Sequence, residues 1–211
     1  MVPSVPAVKS HTADLAARLV DEAARLLASE GAGALTLRRL ALASGTSTMA
    51  VYTLYGDKQG LLRAMYQAGF ERLGRALRAA ASAHDDPLEA LVALGHAYRD
   101  TALANPHLYD LMFGATVPGF VPDESGQATA DAAYEPLVEG VRRCLDAGQL
   151  GGTPAERIAL HLWSVSHGMV SLELAGHLKE ADPATAYTEA LVYAGLPFVP
   201  AVGEISPPTV R

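Results

Sequence analysis

Residues 36–58 form two short helical segments joined at Ser44-Gly45-Thr46, and this tight joint constrains the chain more than any other stretch. Thr36 stands where a helix N-cap acceptor is needed, and Leu37, Leu40 and Ala41 follow at the spacing of a buried stripe. Gly45 then interrupts the helix, because a sharp helix-to-helix turn favours a residue free to take a positive φ. Ser47 can cap the second segment, where Val51 and Tyr55, four apart, point inward. Thr48, Met49, Tyr52 and Thr53 are left outside, a short, polar and aromatic surface. An ordinary solvated face would carry Glu and Lys; this one suits base edges and phosphates in a major groove.

The charge distribution agrees with that reading, although the net charge is -7. Residues 1–78 hold 10 Lys and Arg against 6 Asp and Glu, which leaves 6 against 17 for the remainder. A mildly basic segment is thus joined to an acidic body. Phosphate contacts supply most nonspecific affinity for DNA, so the basic end should face a duplex and the acidic body should be turned away from it.

The rest of the chain reads as all-α. A first helix is expected from near His11 to Glu30, with Ala16, Leu19, Val20, Ala23, Leu26 and Leu27 on one face and Gly31 as its stop. Asp57 opens a long helix to about Ala83. Asp86-Pro87, Asn105-Pro106, Thr153-Pro154 and Asp182-Pro183 each place proline at a first helical position behind a capping residue. The second of these starts a short helix to Phe113, and the last two start helices over Thr153 to Gly176 and Asp182 to Leu196. Another helix is expected over about Ala130 to Ala147, after a loop from Gly114 to Thr129. Residues 1–10 and 201–211 are Pro-containing and expected to be flexible tails.

The run Thr36-x-Arg38-x-Leu40-Ala41-x-x-Ser44-Gly45-x-Ser47, then Val51-Tyr52-x-x-Tyr55-Gly56-Asp57-Lys58 and Leu61-Leu62, resembles the TetR family of one-component transcriptional regulators. The resemblance implies a three-helix DNA-binding head with a helix-turn-helix over 11–58 and a helical bundle over 59–200 for ligand binding and dimerisation. It implies DNA contacts from Thr36, Arg38, Ser47, Thr48, Met49, Tyr52, Thr53 and Lys58, with Thr36, Arg38, Tyr52 and Lys58 on phosphates and Thr48, Met49 and Thr53 near bases. Three positions depart from the family pattern. Thr46 stands where Val is common, Thr53 where His, Arg or Trp is common, and Tyr55 where Phe is usual.

Trp163-x-x-x-His167-Gly168 is the most distinctive run of the second half and resembles the Trp-His-Gly pattern of one subgroup of the family. Asn105-Pro106-x-Leu108-Tyr109-x-Leu111-Met112-Phe113 is similar to the same subgroup. Helix-bundle interiors are common small-molecule sites, and the candidate ligand residues are Tyr98, Tyr109, Met112, Phe113, Trp163 and His167, although residues of these types at helical spacing also serve as core. The implied partners are a palindromic double-stranded operator, a small-molecule effector and a second copy of the chain, with repression as the family's usual output. Ile158, Leu162, Val165, Met169, Leu172, Leu191 and Val192 are numerous enough for a core and a dimer seam together, without separating the two.

A helical enzyme or an adaptor without DNA binding is the alternative. The histidines at 11, 84, 96, 107, 161, 167 and 177 form no His-x-x-x-His pair, so neither a metal site nor a cofactor is expected. Ser164, Ser166 and His167 lack a Gly-x-Ser-x-Gly elbow, and no catalytic residue is proposed. The single Cys144, the absence of a signal-like N-terminus and the lack of any run of about 18 apolar residues give a cytoplasmic, non-membrane expectation.

Overall fold

The computed structural model describes residues 7–114, 117–178 and 182–201. Among these the secondary structure is helical throughout: α1 Ala7–Ala34, α2 Leu37–Ala43, α3 Thr48–Tyr55, α4 Lys58–Ser82, α5 Pro87–Ala104, α6 Pro106–Phe113, α7 Glu124–Asp146, α8 Ala155–Leu174 and α9 Pro183–Gly195, closed by a 3-10 turn at Leu196–Phe198. No described helix is long and apolar enough to cross a membrane.

The all-α expectation holds, and several boundaries move for local reasons. Residues 7–10 of the expected N-terminal tail are helical, while residues 1–6 and 202–211 lie outside the described residues. Gly31 does break the first helix, at φ 79 and ψ 171, but helical turns resume to Ala34. The expected loop after Gly114 ends early, because Asp123 caps α7: its carboxylate accepts the Gly126 N–H at 2.9 Å. Pro136 is accommodated inside that helix. The α8 start slips by one residue, with Pro154 itself extended as the cap at φ -57 and ψ 146. Asn105 makes no side-chain cap for α6, whereas Asp182 caps α9 by accepting the Ala184 N–H at 3.1 Å.

The chain divides into two compact units. One comprises the residues up to Glu71 with Asn105–Ala130, and the other Arg72–Ala104 with the residues from Asp131 on. In the first, α1, α2, α3 and the first half of α4 close around Leu19, Leu26, Leu27, Leu40, Val51, Leu61 and Leu62, and α6 adds Leu108 and Leu111 to the same core. Each such side chain removed from water contributes about 1.5–3 kcal/mol. Met112 Sδ would lie only 2.5 Å from a Cβ at Gly69, so that glycine lets α6 lie close on α4.

The second unit is built on α5, the rest of α4 and α7, α8 and α9. Ile158, Leu162 and Val170 line its interior with Leu94, Val141 and Tyr187. Tyr187 is fully buried, and its hydroxyl donates to the Gly95 carbonyl at 2.8 Å. The 3-10 turn after α9 lies against α8, where the Phe198 ring meets His161 at 5.4 Å, and the Phe198 carbonyl accepts the Gly151 N–H at 2.8 Å. The seven apolar residues of α8 and α9 that the sequence left unassigned now separate. Ile158 and Leu162 face inward, Val165, Met169 and Leu191 are half-buried, and Leu172 and Val192 are exposed.

Candidate DNA-binding head

Helix α2 starts at Thr36, whose extended backbone (φ -131, ψ 151) lets its hydroxyl accept the Arg39 N–H at 3.2 Å. The hydroxyl hydrogen remains available to a phosphate. Arg38 and Arg39 are both exposed but differ in their engagement. The Arg39 guanidinium pairs with Glu30 at 2.6 Å, which raises its pKa through the hydrogen bond first and the charge second. Arg38 has no ion pair among the described residues and is the free cation at this helix start. The turn follows the expectation: Gly45 takes φ 62, Ser44 N–H closes onto the Leu40 carbonyl at 2.9 Å, and Thr46 N–H onto Ala41 at 3.0 Å.

Helix α3 is capped by Ser47, whose hydroxyl accepts the Ala50 N–H at 3.1 Å. Val51 is fully buried and anchors the helix, while Met49 is 75% and Tyr52 is 52% exposed. Thr53 is exposed and its hydroxyl donates to the Met49 carbonyl at 2.9 Å; Thr48 is half-buried. Tyr55 is half-buried, with its hydroxyl donating to the Ala16 carbonyl at 3.1 Å, and burial pushes its pKa up to about 12. The phenol is therefore a neutral tether to α1. Lys58 is also half-buried, and its ammonium donates to the Ala32 carbonyl near the end of α1. That bond gives Lys58 a structural role that the sequence did not reveal. Arg38, Met49, Tyr52 and Thr53 thus form the most available part of the expected surface, and no cluster of metal-ligating side chains exists among the described residues.

The six candidate ligand residues are carried by both units. Tyr109, Met112 and Phe113 belong to the first unit, where the Phe113 ring lies 4.9 Å from Tyr109 and 5.3 Å from Phe70. Proline-started α6 sends Leu108 and Leu111 into the head's core, while Tyr109, Met112 and Phe113 stand outside that cluster. Tyr98, Trp163 and His167 do come together in the second unit. The Tyr98 hydroxyl lies 3.0 Å from His167 Nδ1, and the Trp163 ring lies 5.8 Å from His167 and 5.7 Å from Tyr134. Tyr134 was missed by sequence reasoning, since nothing local links it to a helix 29 positions away. Beside Tyr98, Arg99 makes a two-pronged pair with Glu173 at 2.8 and 2.6 Å and stands 5.7 Å over the Tyr187 ring.

Desolvation lowers the His167 pKa below its usual 6.5, so the imidazole is held neutral in the fold. The unfolded chain binds the proton more readily, and the stabilising contribution present above pH 6.5 is lost as pH falls through the folded pKa. Thermal melts from pH 8 to pH 5 should therefore show a steeper loss of stability for the native protein than for His167→Gln. Parallel curves would contradict the buried neutral imidazole.

Comparison with known proteins agrees with this geometry. Residues 19–65 match the family model described as bacterial regulatory proteins, tetR family, and residues 91–194 match the tetracyclin repressor-like C-terminal domain. An uncharacterised HTH-type transcriptional regulator of Mycobacterium tuberculosis is 28% identical over 173 residues, which cover 81% of this chain and 75% of that one. A solved structure from Rhodococcus sp. RHA1, described as a protein with unknown function, is 30% identical, covers 88% of this chain and 96% of its own, and superposes with a TM-score of 0.76. A TetR-family transcription regulator of Marinobacter aquaeolei VT8, 19% identical over 92% of this chain and 100% of its own, shares the fold with a TM-score of 0.73. The chain belongs to the TetR family and is a DNA-binding transcriptional regulator. The family consists of regulators rather than enzymes, which sets aside the helical enzyme and the adaptor.

Proposed function

We propose that the protein is a homodimeric repressor that occupies a palindromic operator and leaves it when a small molecule binds the second unit. The observation that carries the reading is the outward face of α3, where Met49, Tyr52 and Thr53 stand exposed beside the unpaired Arg38. Arg38, Thr36 and Tyr52 take phosphates, assisted by Ser47 and by the remaining donors of Lys58; Thr48, Met49 and Thr53 meet base edges. The reading head is 11–58, and 59–200 serves effector and dimer functions, with the first half of α4 and α6 as parts of that segment built into the head's core. Such a protein works in the cytoplasm, where its DNA is. A randomised-site selection should return an inverted repeat whose half-sites are a helical turn or more apart. Recovery of no preferred sequence would overturn the proposal.

The effector site is assigned to Tyr98, Trp163 and His167, with Tyr134 as a further wall. Tyr109, Met112 and Phe113 are the candidate ligand residues of the first unit, where Phe113 packs on Tyr109 and Phe70 and Met112 lies against Gly69. Kinship with the Trp-His-Gly subgroup rests on the motif at 163–168 and on the run at 105–113. An effector shifts the population toward the state that it binds better, and only by its differential affinity for the two states. Continuous helix α4 links recognition helix to bundle in this scheme, and its movement changes the separation of two heads in a dimer. An inducing ligand should alter the fluorescence of Trp163, the single tryptophan, and should lower operator affinity by the factor by which operator lowers its own. Trp163→Ala should lose induction and keep ligand-free DNA binding. Full inducibility in that variant would reject the site.

A further inference from the structure

Gly60 holds an unusual place in the head. It lies in the first turn of α4, and a Cβ built on it would fall 1.9 Å from the Tyr55 carbonyl oxygen and 3.1 Å from the carbonyl carbon. The obstructing atoms are backbone, so no side-chain rotation can relieve them. Reaching even a 3.0 Å separation would require a shift of about 1.1 Å. The carbonyl belongs to the last residue of α3, and it is fixed from its other side as well. Gly56 adopts φ 72 and ψ -61, and Asp57 N–H closes on the Tyr55 oxygen at 2.8 Å. This is a three-residue γ-turn of the rare, strained kind. Asp57 in turn accepts the Gly60 N–H at 2.7 Å, which draws the start of α4 against the end of α3.

We propose that Gly60 is a positioning residue for operator recognition: its missing side chain is what lets α3 end against α4 at the depth that sets Met49, Tyr52 and Thr53 for the major groove. The proposal rests on the reading of α3 as the recognition helix. Tyr55 is tethered at its hydroxyl to α1 and at its carbonyl over Gly60, so a Cβ at 60 tilts or slides a helix of only eight residues. Base-edge hydrogen bonds weaken steeply with misalignment, whereas long-range attraction to phosphates does not.

The test compares Gly60→Ala with the native protein on two fluorescent duplexes of equal length, the site recovered by selection and a scrambled sequence. Destabilisation alone lowers the competent fraction equally for both duplexes, so the ratio of the two affinities is insensitive to it. Leu26→Ala, a core truncation in α1, serves as the destabilised control and should keep the native ratio. Gly60→Ala should lower the ratio by about tenfold or more, the discrimination carried by one well-placed base contact. A native ratio in Gly60→Ala overturns the proposal. Tyr52→Ala, measured alongside, separates the two levels: if it weakens binding while Gly60→Ala keeps its ratio, only the positioning role falls. If Tyr52→Ala has no effect, the reading of α3 falls. Should Gly60→Ala melt below the assay temperature, the measurement is repeated in sucrose, which favours the compact state.

Discussion

Arg38→Ala is expected to weaken binding to the selected operator by about ten- to a hundredfold, the worth of a charge-assisted hydrogen bond of about 1.5–3 kcal/mol. The size follows from what Arg38 does in the free protein. It is exposed and unpaired, so its removal breaks nothing inside the head, while Arg39 next to it is engaged with Glu30. The slope of log affinity against log salt should become shallower by about 0.9, the signature of one lost phosphate contact. Melting should be almost unchanged, since truncation of an exposed side chain stays within about 0.5 kcal/mol. Tyr52→Ala should lower affinity with the slope retained, because a phenol releases no counterion. Anisotropy titrations at four or five salt concentrations measure both quantities. An unchanged slope in Arg38→Ala would remove it from the phosphate set.

Val192→Asp should convert a dimer into a monomer. Leu191 and Val192 were equal candidates in the sequence, but they differ in the fold. Leu191 reaches across to Gly95, where a Cβ would meet it at 2.5 Å, whereas Val192 is 51% exposed. Tyr193 is 66% exposed beside it, and on α8 Leu160 and Leu172 are 54% and 45% exposed. Apolar side chains gathered on one helix pair mark an interaction surface. A carboxylate forced into a dry seam costs about 3–5 kcal/mol, so dimer affinity should fall by roughly two to three orders of magnitude. Sedimentation at micromolar concentration should show dimer for the native chain and monomer for Val192→Asp. Operator affinity should fall with it, because a lone head reads only one half-site. A native chain that sediments as monomer would contradict the dimer itself, and a dimeric Val192→Asp would move the seam elsewhere.

The head was legible because its logic is local. Thr36, Ser47, Gly45 and Val51 act within a few residues of themselves, and the structure gives each the cap, turn or anchor that the spacing predicts. What stayed hidden depends on distant partners. Lys58 reads in the sequence as a phosphate ligand, and only the fold shows that its ammonium also donates to the Ala32 carbonyl, 26 positions away. The sequence does not show that α6 sends Leu108 and Leu111 into the core of the head, nor that Gly69 leaves room for Met112. Gly60 offered no signal at all, since glycine in a first helical turn reads as mere tolerance until the Tyr55 carbonyl is found above it. Tyr98 and His167 lie 69 positions apart, and their hydrogen bond could not be read from either segment.

The central claim is sequence-specific recognition of duplex DNA by the outward face of α3. The measurement that tests it most directly is equilibrium binding of the native protein, at one near-physiological salt concentration, to the duplex recovered by selection and to a scrambled duplex of the same length. Affinity for the selected duplex is expected to be at least about a thousandfold higher than for the scrambled one. Loss of that margin should follow when the exposed α3 residues Met49 and Thr53 are replaced together by alanine. Equal affinity for the two duplexes, or a margin that survives the double replacement, would contradict the claim.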